Sequence, residues 1–296
     1  MNHVFYETFT RHNHAEGIKA HSTHYCPGCG HGLIHKFLSQ SIAELGIQDR
    51  SVAISPVGCS VFMYYYMNVG NLQAAHGRAP VVALGQKVAR PDSIVVSYQG
   101  DGDLASIGLA EIISVAQMGL PITVIFVNNS TYGMTGGQMA PTTLIGQKTA
   151  TCPDGRTPSM GQPMKVAEII AGLDGPVYVE RVALFDAKNR MRAKKAIKKA
   201  LEVQMAGLGF TFIEVVSECP VQLKLDPVKA SEWVQEKMLP VYPLGVKKDT
   251  TAEITEPPVI NRPPYEYQSL FREIGTSDHQ VPRFAAGFPS HLDSED

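Results

Sequence analysis

Two short polar motifs each follow an apolar segment near the middle of the sequence. Gly100-Asp101-Gly102-Asp103 ends the first segment, and Asn128-Asn129 ends the second. The glycines would let the backbone approach a phosphate closely, and a helix beginning there would point its N–H groups at the same anion. A carboxylate, an amide oxygen and phosphate oxygens are ligands that suit Mg²⁺. The motifs therefore predict a site for a magnesium-bound diphosphate.

The spacing of the two motifs is more specific than either motif alone, since each by itself is a common turn or loop. Between Gly102 and Asn128 lie 25 residues, which is enough for one helix and one strand. Ligands of open α/β sheets bind at the carboxyl ends of the strands. We therefore expect Asp101 and Asn129 to meet across neighbouring strands.

The cysteines form a second group of residues with chemical potential. Cys26-Pro27-Gly28-Cys29 is a turn with room for a bulky group, and Cys59 and Cys219 follow later in the chain. Four thiolates can hold a [4Fe–4S] cluster or a tetrahedral zinc ion, and spacing does not separate the two. A redox dithiol is a further alternative, but this turn does not open a helix after a strand. Cys152 lies outside the pattern and is expected to be a free thiol.

Alternating strands and helices should position these groups. Strands are predicted at 51–55, 93–97, 122–127, 177–182 and 211–216, and helices at 33–45, 77–90, 104–118 and 188–206. Continuous apolar strands on either side of a helix are typical of a parallel sheet covered on both faces. We therefore expect an α/β fold, with a doubly wound parallel sheet inside a domain over residues 25–238.

Both ends of the chain differ from this domain. Residues 1–24 are polar and carry five histidines, which favours an N-terminal arm over a histidine metal site. Residues 239–296 are interrupted by prolines and poor in periodic apolar positions. They are expected to form an extended C-terminal arm on a partner subunit, with disorder as the alternative.

Composition excludes several classes of function. A net charge of −2 argues against nucleic-acid and membrane-surface binders, which carry a basic excess. No apolar run is long enough to span a bilayer and no signal peptide is evident, so a cytoplasmic protein is expected. One basic segment, 188–199, is either a solvated helix face or a surface that attracts an acidic protein or the phosphate groups of a cofactor.

The motifs resemble a known family. The run GDGDLASIGLAEI followed by VNNSTYGMTGGQMAPTT is similar to the beta subunits of 2-oxoacid:ferredoxin oxidoreductases, and so are CPGCG, GCS and a late cysteine before proline. The resemblance covers residues 24–225. It implies a thiamine-diphosphate-binding fold and coenzyme A-dependent oxidative decarboxylation of a 2-oxoacid, with electrons passed through one [4Fe–4S] cluster to ferredoxin.

The same resemblance implies roles for individual residues. The magnesium ligands would be Asp101, Asn129 and the carbonyl of Thr131, and the cluster ligands Cys26, Cys29, Cys59 and Cys219. The residues that line the cofactor would be Val57, Gly58, Cys59, Ser60, His76, Gly100, Asp101, Gly102, Asp103, Asn129, Thr131, Gly133 and Met134. For His76, which would lie near the diphosphate, a buried structural histidine is the alternative.

The resemblance also implies partners. The glutamate that activates the aminopyrimidine in such enzymes comes from a separate domain, so it should lie on an alpha- or gamma-type partner subunit, and a ferredoxin-like delta subunit remains open. Many relatives have a lysine where this chain has Gly136, so the 2-oxoacid stays unidentified. The alternatives are a non-redox thiamine-dependent decarboxylase or carboligase with structural zinc, and a non-catalytic nucleotide-binding scaffold.

Overall fold

A single sheet forms the centre of the computed structural model, which describes Val4, Phe5, residues 24–256, Pro258 and Ile260. Its strands are β1 (Ser51–Ser55), β2 (Gly70–Gln73), β3 (Ile94–Gly100), β4 (Thr123–Asn128), β5 (Pro176–Ala183), β6 (Phe210–Val216) and β7 (Gly245–Asp249). They lie in the order β2-β1-β3-β4-β6-β5-β7. All neighbouring pairs are parallel except β5–β7, which is antiparallel. The expected parallel α/β sheet is confirmed.

Helices cover both faces of the sheet. They are α1 (His31–Leu45), α2 (Met63–Tyr66), α3 (Ala79–Ala89), α4 (Leu109–Met118), α5 (Val166–Ala171), α6 (Ala187–Met205), α7 (Pro220–Leu223) and α8 (Pro227–Trp233). Helices α1 and α6 share one apolar core, and α3, α4 and α5 share another. Val95 and Val96 of β3 point into different cores, because successive side chains of a strand face opposite sides. The doubly wound arrangement is therefore confirmed.

Local sequence signals set the ends of the longest helices. Helix α1 ends at Gly46, whose φ of 64° lies in the left-handed region that glycine adopts without strain. Helix α6 begins after Asp186, whose side chain accepts a hydrogen bond from the backbone N–H of Asn189. Such a cap satisfies one of the free N–H groups of a helix terminus. No described residue belongs to a helix that is long and apolar enough to span a membrane.

The helix predicted at 104–118 is divided in the structure. A π-helical turn, Asp103–Ile107, precedes Gly108, and α4 begins only at Leu109. A Cβ atom at Gly108 would lie 2.4 Å from the Asp103 carbonyl oxygen and 2.7 Å from that of Gly77. The widened turn thus lets its own backbone and the segment at Gly77 approach each other beside the strand ends. Such turns are frequent at functional sites.

The sheet continues past the predicted boundary at residue 238. Residues 245–249, which we expected to lie in an extended arm, form β7 on the edge of the sheet. Tyr242 is fully buried beside Val234 and Met238. The sequence GVKKD gave no strand signal because an edge strand exposes much of its side-chain surface. Residues 261–296 and most of 1–24 lie outside the described residues, so the arm predictions there remain predictions.

Candidate functional site

A cavity of about 290 Å³ lies at the carboxyl ends of β3 and β4. Every residue predicted to line the cofactor borders it: Val57, Gly58, Cys59, Ser60, His76, Gly100, Asp101, Gly102, Asp103, Asn129, Thr131, Gly133 and Met134. His31, Ser106, Ile107, Tyr132 and Thr135 also border it and were not predicted. The two motifs therefore meet at one cavity, which we call the cofactor pocket.

Asp101 is the buried carboxylate of this pocket. Its Oδ2 accepts hydrogen bonds from the backbone N–H groups of Asn129 (3.0 Å) and Thr131 (3.4 Å). Its Oδ1 accepts one from Thr142 Oγ1 (2.6 Å), a residue to which the sequence gave no role. Burial raises the pKa of Asp101 to about 7, although these hydrogen bonds oppose the shift. A nearby cation would favour its charged form.

The Asn129 side-chain amide, Asp101 Oδ2 and the Thr131 carbonyl oxygen lie beside one another. The amide oxygen of Asn129 faces only acceptors, which are Asp101 Oδ2 and the Thr131 carbonyl oxygen. If the amide were rotated by 180°, its nitrogen would donate to these atoms at 2.7 and 2.8 Å. The rotated form satisfies the amide when no cation is bound. The two orientations exchange oxygen and nitrogen at the same position, so an amide oxygen turned toward Asp101 and Thr131 would complete a set of three oxygen atoms, the donor set that Mg²⁺ prefers.

His76 and Asp103 form an ion-pair-type contact at the opposite side of the pocket. His76 Nδ1 lies 2.7 Å from Asp103 Oδ1, which also accepts a hydrogen bond from the backbone N–H of Gly77 at 2.7 Å. Gln99 donates to the other carboxylate oxygen at 2.6 Å. The His76 side chain is 41% exposed, so the alternative of a buried structural histidine does not match the structure. Asp103 instead fixes the orientation of His76 at the pocket wall.

The predicted cysteines meet at a second cavity of about 310 Å³, which we call the thiol pocket. Cys26, Cys29, Cys59 and Cys219 all border it. Within the described part of the chain, no three His, Cys, Asp or Glu side chains lie close enough together to hold a single metal ion. A tetrahedral zinc ion would require thiols about 3.8 Å apart, given a Zn–S distance of about 2.3 Å. The four predicted cysteines therefore border one cavity without forming a ready-made single-ion site within the described residues.

The surroundings of this pocket raise the pKa values of three of its thiols. Burial raises the pKa of Cys59 to about 11 and also raises the pKa values of Cys29 and Cys219. Neighbouring cysteines add to each shift. Thiolates at these positions therefore require positive charge inside the pocket, which a bound metal group supplies.

The two pockets share a wall. His31, Cys59, Asn129, Gly133 and Met134 border both of them. A Cβ atom at Gly133 would lie 3.5 Å from the sulfur atoms of both Cys59 and Cys219. His31 is 2% exposed, and its Nδ1 lies 2.5 Å from the Tyr98 hydroxyl. No periodicity or motif distinguished His31 in the sequence, because only the fold brings α1 to this wall.

Other predicted features lie apart from the pockets. Cys152 is buried, borders neither pocket and is a free thiol whose sulfur lies 3.5 Å from Met160 Sδ. In the basic helix α6, Lys194 and Lys198 both pair with Glu44. This pairing is consistent with a solvated helix face, which was one of the two interpretations of the segment.

Comparisons with known proteins agree on one family. A family model described as thiamine pyrophosphate enzyme, C-terminal TPP binding domain, matches residues 56–215. The ketoisovalerate oxidoreductase subunit VorA of Methanothermobacter thermautotrophicus is 50% identical over 262 residues, which are 88% of this chain and 55% of that subunit. The 2-oxoglutarate synthase subunit KorB of Methanocaldococcus jannaschii is 40% identical over 197 residues, 66% of this chain and 69% of that subunit. The chain thus spans about half the length of the VorA subunits that it matches.

A solved structure matches most of the chain. It is a 2-oxoglutarate:ferredoxin oxidoreductase from Magnetococcus marinus with 2-oxoglutarate, coenzyme A and succinyl-CoA bound. The TM-score is 0.64 at 26% identity, and the match covers 91% of this chain and 94% of that one. The expected thiamine-diphosphate-binding fold is confirmed.

Proposed function

The chain belongs to the thiamine-diphosphate-binding subunits of the 2-oxoacid oxidoreductase family, and from this premise we propose its complete reaction. The proposed reaction is coenzyme A-dependent oxidative decarboxylation of a 2-oxoacid to an acyl-CoA and CO₂, with electrons leaving through a [4Fe–4S] cluster to ferredoxin. One observation carries the proposal: the cofactor pocket and the thiol pocket share a wall. Electrons released in one pocket would need to cross only that wall.

Magnesium and the diphosphate belong in the cofactor pocket under this proposal. Asp101, Asn129 and the Thr131 carbonyl would hold Mg²⁺, which the proximity of these three groups supports. Thiamine diphosphate, when bound, supplies the carbanion and the electron sink that decarboxylation of a 2-oxoacid requires. The chain contributes binding and orientation: Asp101 is fixed by three hydrogen bonds, and Asp103 orients His76 at the border of the pocket, where it would bind the diphosphate.

The proposed cluster ligands are Cys26, Cys29, Cys59 and Cys219. Their common pocket supports a shared metal group, and the likeness to a 2-oxoacid:ferredoxin oxidoreductase subunit beta favours a [4Fe–4S] cluster over a single zinc ion. Free thiols also need a reducing compartment to remain available, which supports the cytoplasm as the location. The rival function, a non-redox decarboxylase or carboligase with structural zinc, lacks this support.

Partner subunits are part of the proposal. Asp101 and Asp103 are the only carboxylates that border the cofactor pocket among the described residues, and hydrogen bonds engage both. No further carboxylate is therefore at hand to activate the aminopyrimidine. We propose that an alpha- or gamma-type partner supplies it, and that this chain by itself does not catalyse the reaction. A ferredoxin-like delta subunit would complete the electron path.

For the substrate we propose a branched-chain 2-oxoacid such as ketoisovalerate. The VorA relatives are named for that substrate and share 50% identity with this chain. Within the described residues, no lysine or arginine borders the cofactor pocket, so none would pair with the distal carboxylate of 2-oxoglutarate. The exposed apolar side chains of Val57, Ile107 and Met134 border it instead.

The test is anaerobic purification of the chain with its partners. At least about four iron atoms per copy of this chain, little zinc, and faster coenzyme A-dependent dye reduction with ketoisovalerate than with 2-oxoglutarate are expected, and a ferredoxin-like delta subunit would add its own iron. Asp101→Asn should abolish thiamine diphosphate retention and leave the iron content unchanged, since Asp101 borders only the cofactor pocket. Zinc instead of iron, or full retention by Asp101→Asn, would contradict the proposal.

A further inference from the structure

We infer that Tyr242, in the segment between α8 and β7, is a positioning residue for the magnesium ligands. The inference rests on the proposed magnesium-diphosphate site. Tyr242 is fully buried and borders neither pocket, so it cannot touch the cofactor itself. It acts through hydrogen bonds that lead to Asp101 and to the loop that carries Asn129 and Thr131.

The first connection runs through Thr142. The Tyr242 hydroxyl donates to the Thr142 carbonyl oxygen at 2.5 Å. The Thr142 hydroxyl in turn donates to Asp101 Oδ1 at 2.6 Å. Thr142 is also fully buried, so water does not substitute for either bond. Tyr242 therefore fixes the backbone from which Thr142 reaches the carboxylate.

The second connection runs through a buried ion pair beside Tyr242. Arg181 lies over the Tyr242 ring, 5.4 Å from its centroid, and donates to the neighbouring Pro243 carbonyl oxygen at 3.2 Å. It also donates to Glu214 at 2.9 Å, and Glu214 accepts from Asn128 Nδ2 at 2.8 Å. The same segment thus supports both the Thr142 contact and the asparagine motif.

The strained geometry of the ligand loop explains why support is needed. Ser130, between the two ligands Asn129 and Thr131, has a φ of 60°, a left-handed value that is unusual for a residue other than glycine. The backbone N–H of Ser130 donates to Asn128 Oδ1 at 3.2 Å. Such conformations persist only when the surroundings enforce them. Mg²⁺ demands near-ideal ligand geometry, so small displacements of this loop would weaken its binding.

The magnesium dependence of cofactor uptake by the intact assembly tests this role. Thiamine diphosphate retained after desalting is measured over a magnesium titration, which needs no turnover. Tyr242→Phe removes the hydroxyl and keeps the buried ring. We expect it to raise the magnesium concentration for half-maximal retention by about tenfold, the usual scale for a residue that orients a metal ligand. Excess magnesium should restore retention.

Tyr178→Phe is the matched control. Tyr178 is also a buried tyrosine near the same edge of the sheet, but its hydroxyl donates to Glu180 rather than toward the site. It should leave the magnesium midpoint unchanged. Thr142→Val provides a second test, because it removes the hydroxyl that donates to Asp101. The shift of the magnesium midpoint in the double variant with Tyr242→Phe should be smaller than the sum of the two single shifts, because both changes act on one chain of contacts.

The outcomes separate the two proposals. An unshifted midpoint in Tyr242→Phe, an equal shift in Tyr178→Phe, or full additivity with Thr142→Val overturns the positioning role while wild-type uptake still supports the proposed function. If the wild-type assembly retains no thiamine diphosphate at any magnesium concentration, the proposed function and this inference both fail.

Discussion

Substitution of Glu214 tests how strongly burial increases the contribution of an ion pair to the stability of this fold. It is fully buried and accepts three hydrogen bonds: from Arg181 (2.9 Å), Asn128 (2.8 Å) and the backbone N–H of Ala167 (3.1 Å). Glu168 contacts the same guanidinium at 2.7 Å, but its side chain is 36% exposed. The two carboxylates share Arg181 as a partner, but Glu214 is closed to water and holds two further hydrogen bonds, whereas Glu168 is partly exposed and also lies 3.6 Å from Lys247.

The substitution Glu214→Gln keeps the shape and removes the charge. A glutamine oxygen can accept two of the three hydrogen bonds, and the amide nitrogen would face the remaining donor. Removing one partner of a buried pair costs about 3–5 kcal/mol. Glu168→Gln should cost less, because its side chain is 36% exposed and water screens and partly replaces its contact with the buried Arg181. For a domain of this size, the buried change corresponds to a loss of about 6–20 °C in Tm, taking about 2–4 °C per kcal/mol.

Thermal and urea unfolding of the purified assembly without thiamine diphosphate would measure this difference, because bound ligand adds its own stabilisation. The midpoint of the transition that reports this subunit should fall several times further for Glu214→Gln than for Glu168→Gln. Equal shifts for the two variants, or a larger shift for Glu168→Gln, would refute the argument that burial decides the cost.

Three further experiments test the thiol pocket, the cofactor pocket and the Glu168–Arg181 pair. By metal analysis, Cys26→Ser should lower the iron content by about four atoms per copy of this chain, with a matching fall in visible absorption, whereas Cys152→Ser should leave both at the wild-type level. His76→Ala should weaken thiamine diphosphate binding by about tenfold or more, because it removes one hydrogen bond to a charged group. Isothermal titration calorimetry measures this affinity, and an unchanged value would show that His76 does not contact the diphosphate. Burial alone would raise the pKa of Glu168, but the hydrogen bond from Arg181 lowers it below its usual value. The stabilisation that the Glu168–Arg181 pair contributes is therefore present above about pH 4.5 and is lost as the pH falls through the lowered pKa. Urea unfolding of wild type and Glu168→Gln from pH 6 to pH 3 should therefore converge, and a constant difference would count against the pair.

Sequence patterns alone located the strands that carry the motifs. The predicted segment 51–55 coincides with β1, and 122–127 differs from β4 by one residue at each end. Both are short, largely apolar runs, which is the pattern expected for a strand of a parallel sheet that is buried on both faces. The weakly patterned edge strands β2 and β7 were missed, because half-exposed edges carry no strong apolar signal.

The site divides in the same way. The spacing of Gly102 and Asn128 determined that Asp101 and Asn129 would meet, since one helix and one strand between them fix the geometry. The roles of His31, Thr142 and Tyr242 depend on contacts between segments far apart in the chain, the longest of which joins Tyr242 to Thr142 across 100 positions. Local propensity and spacing carry no information about such contacts, because they arise only when the packed sheet and its edge strand bring buried polar groups within hydrogen-bonding distance.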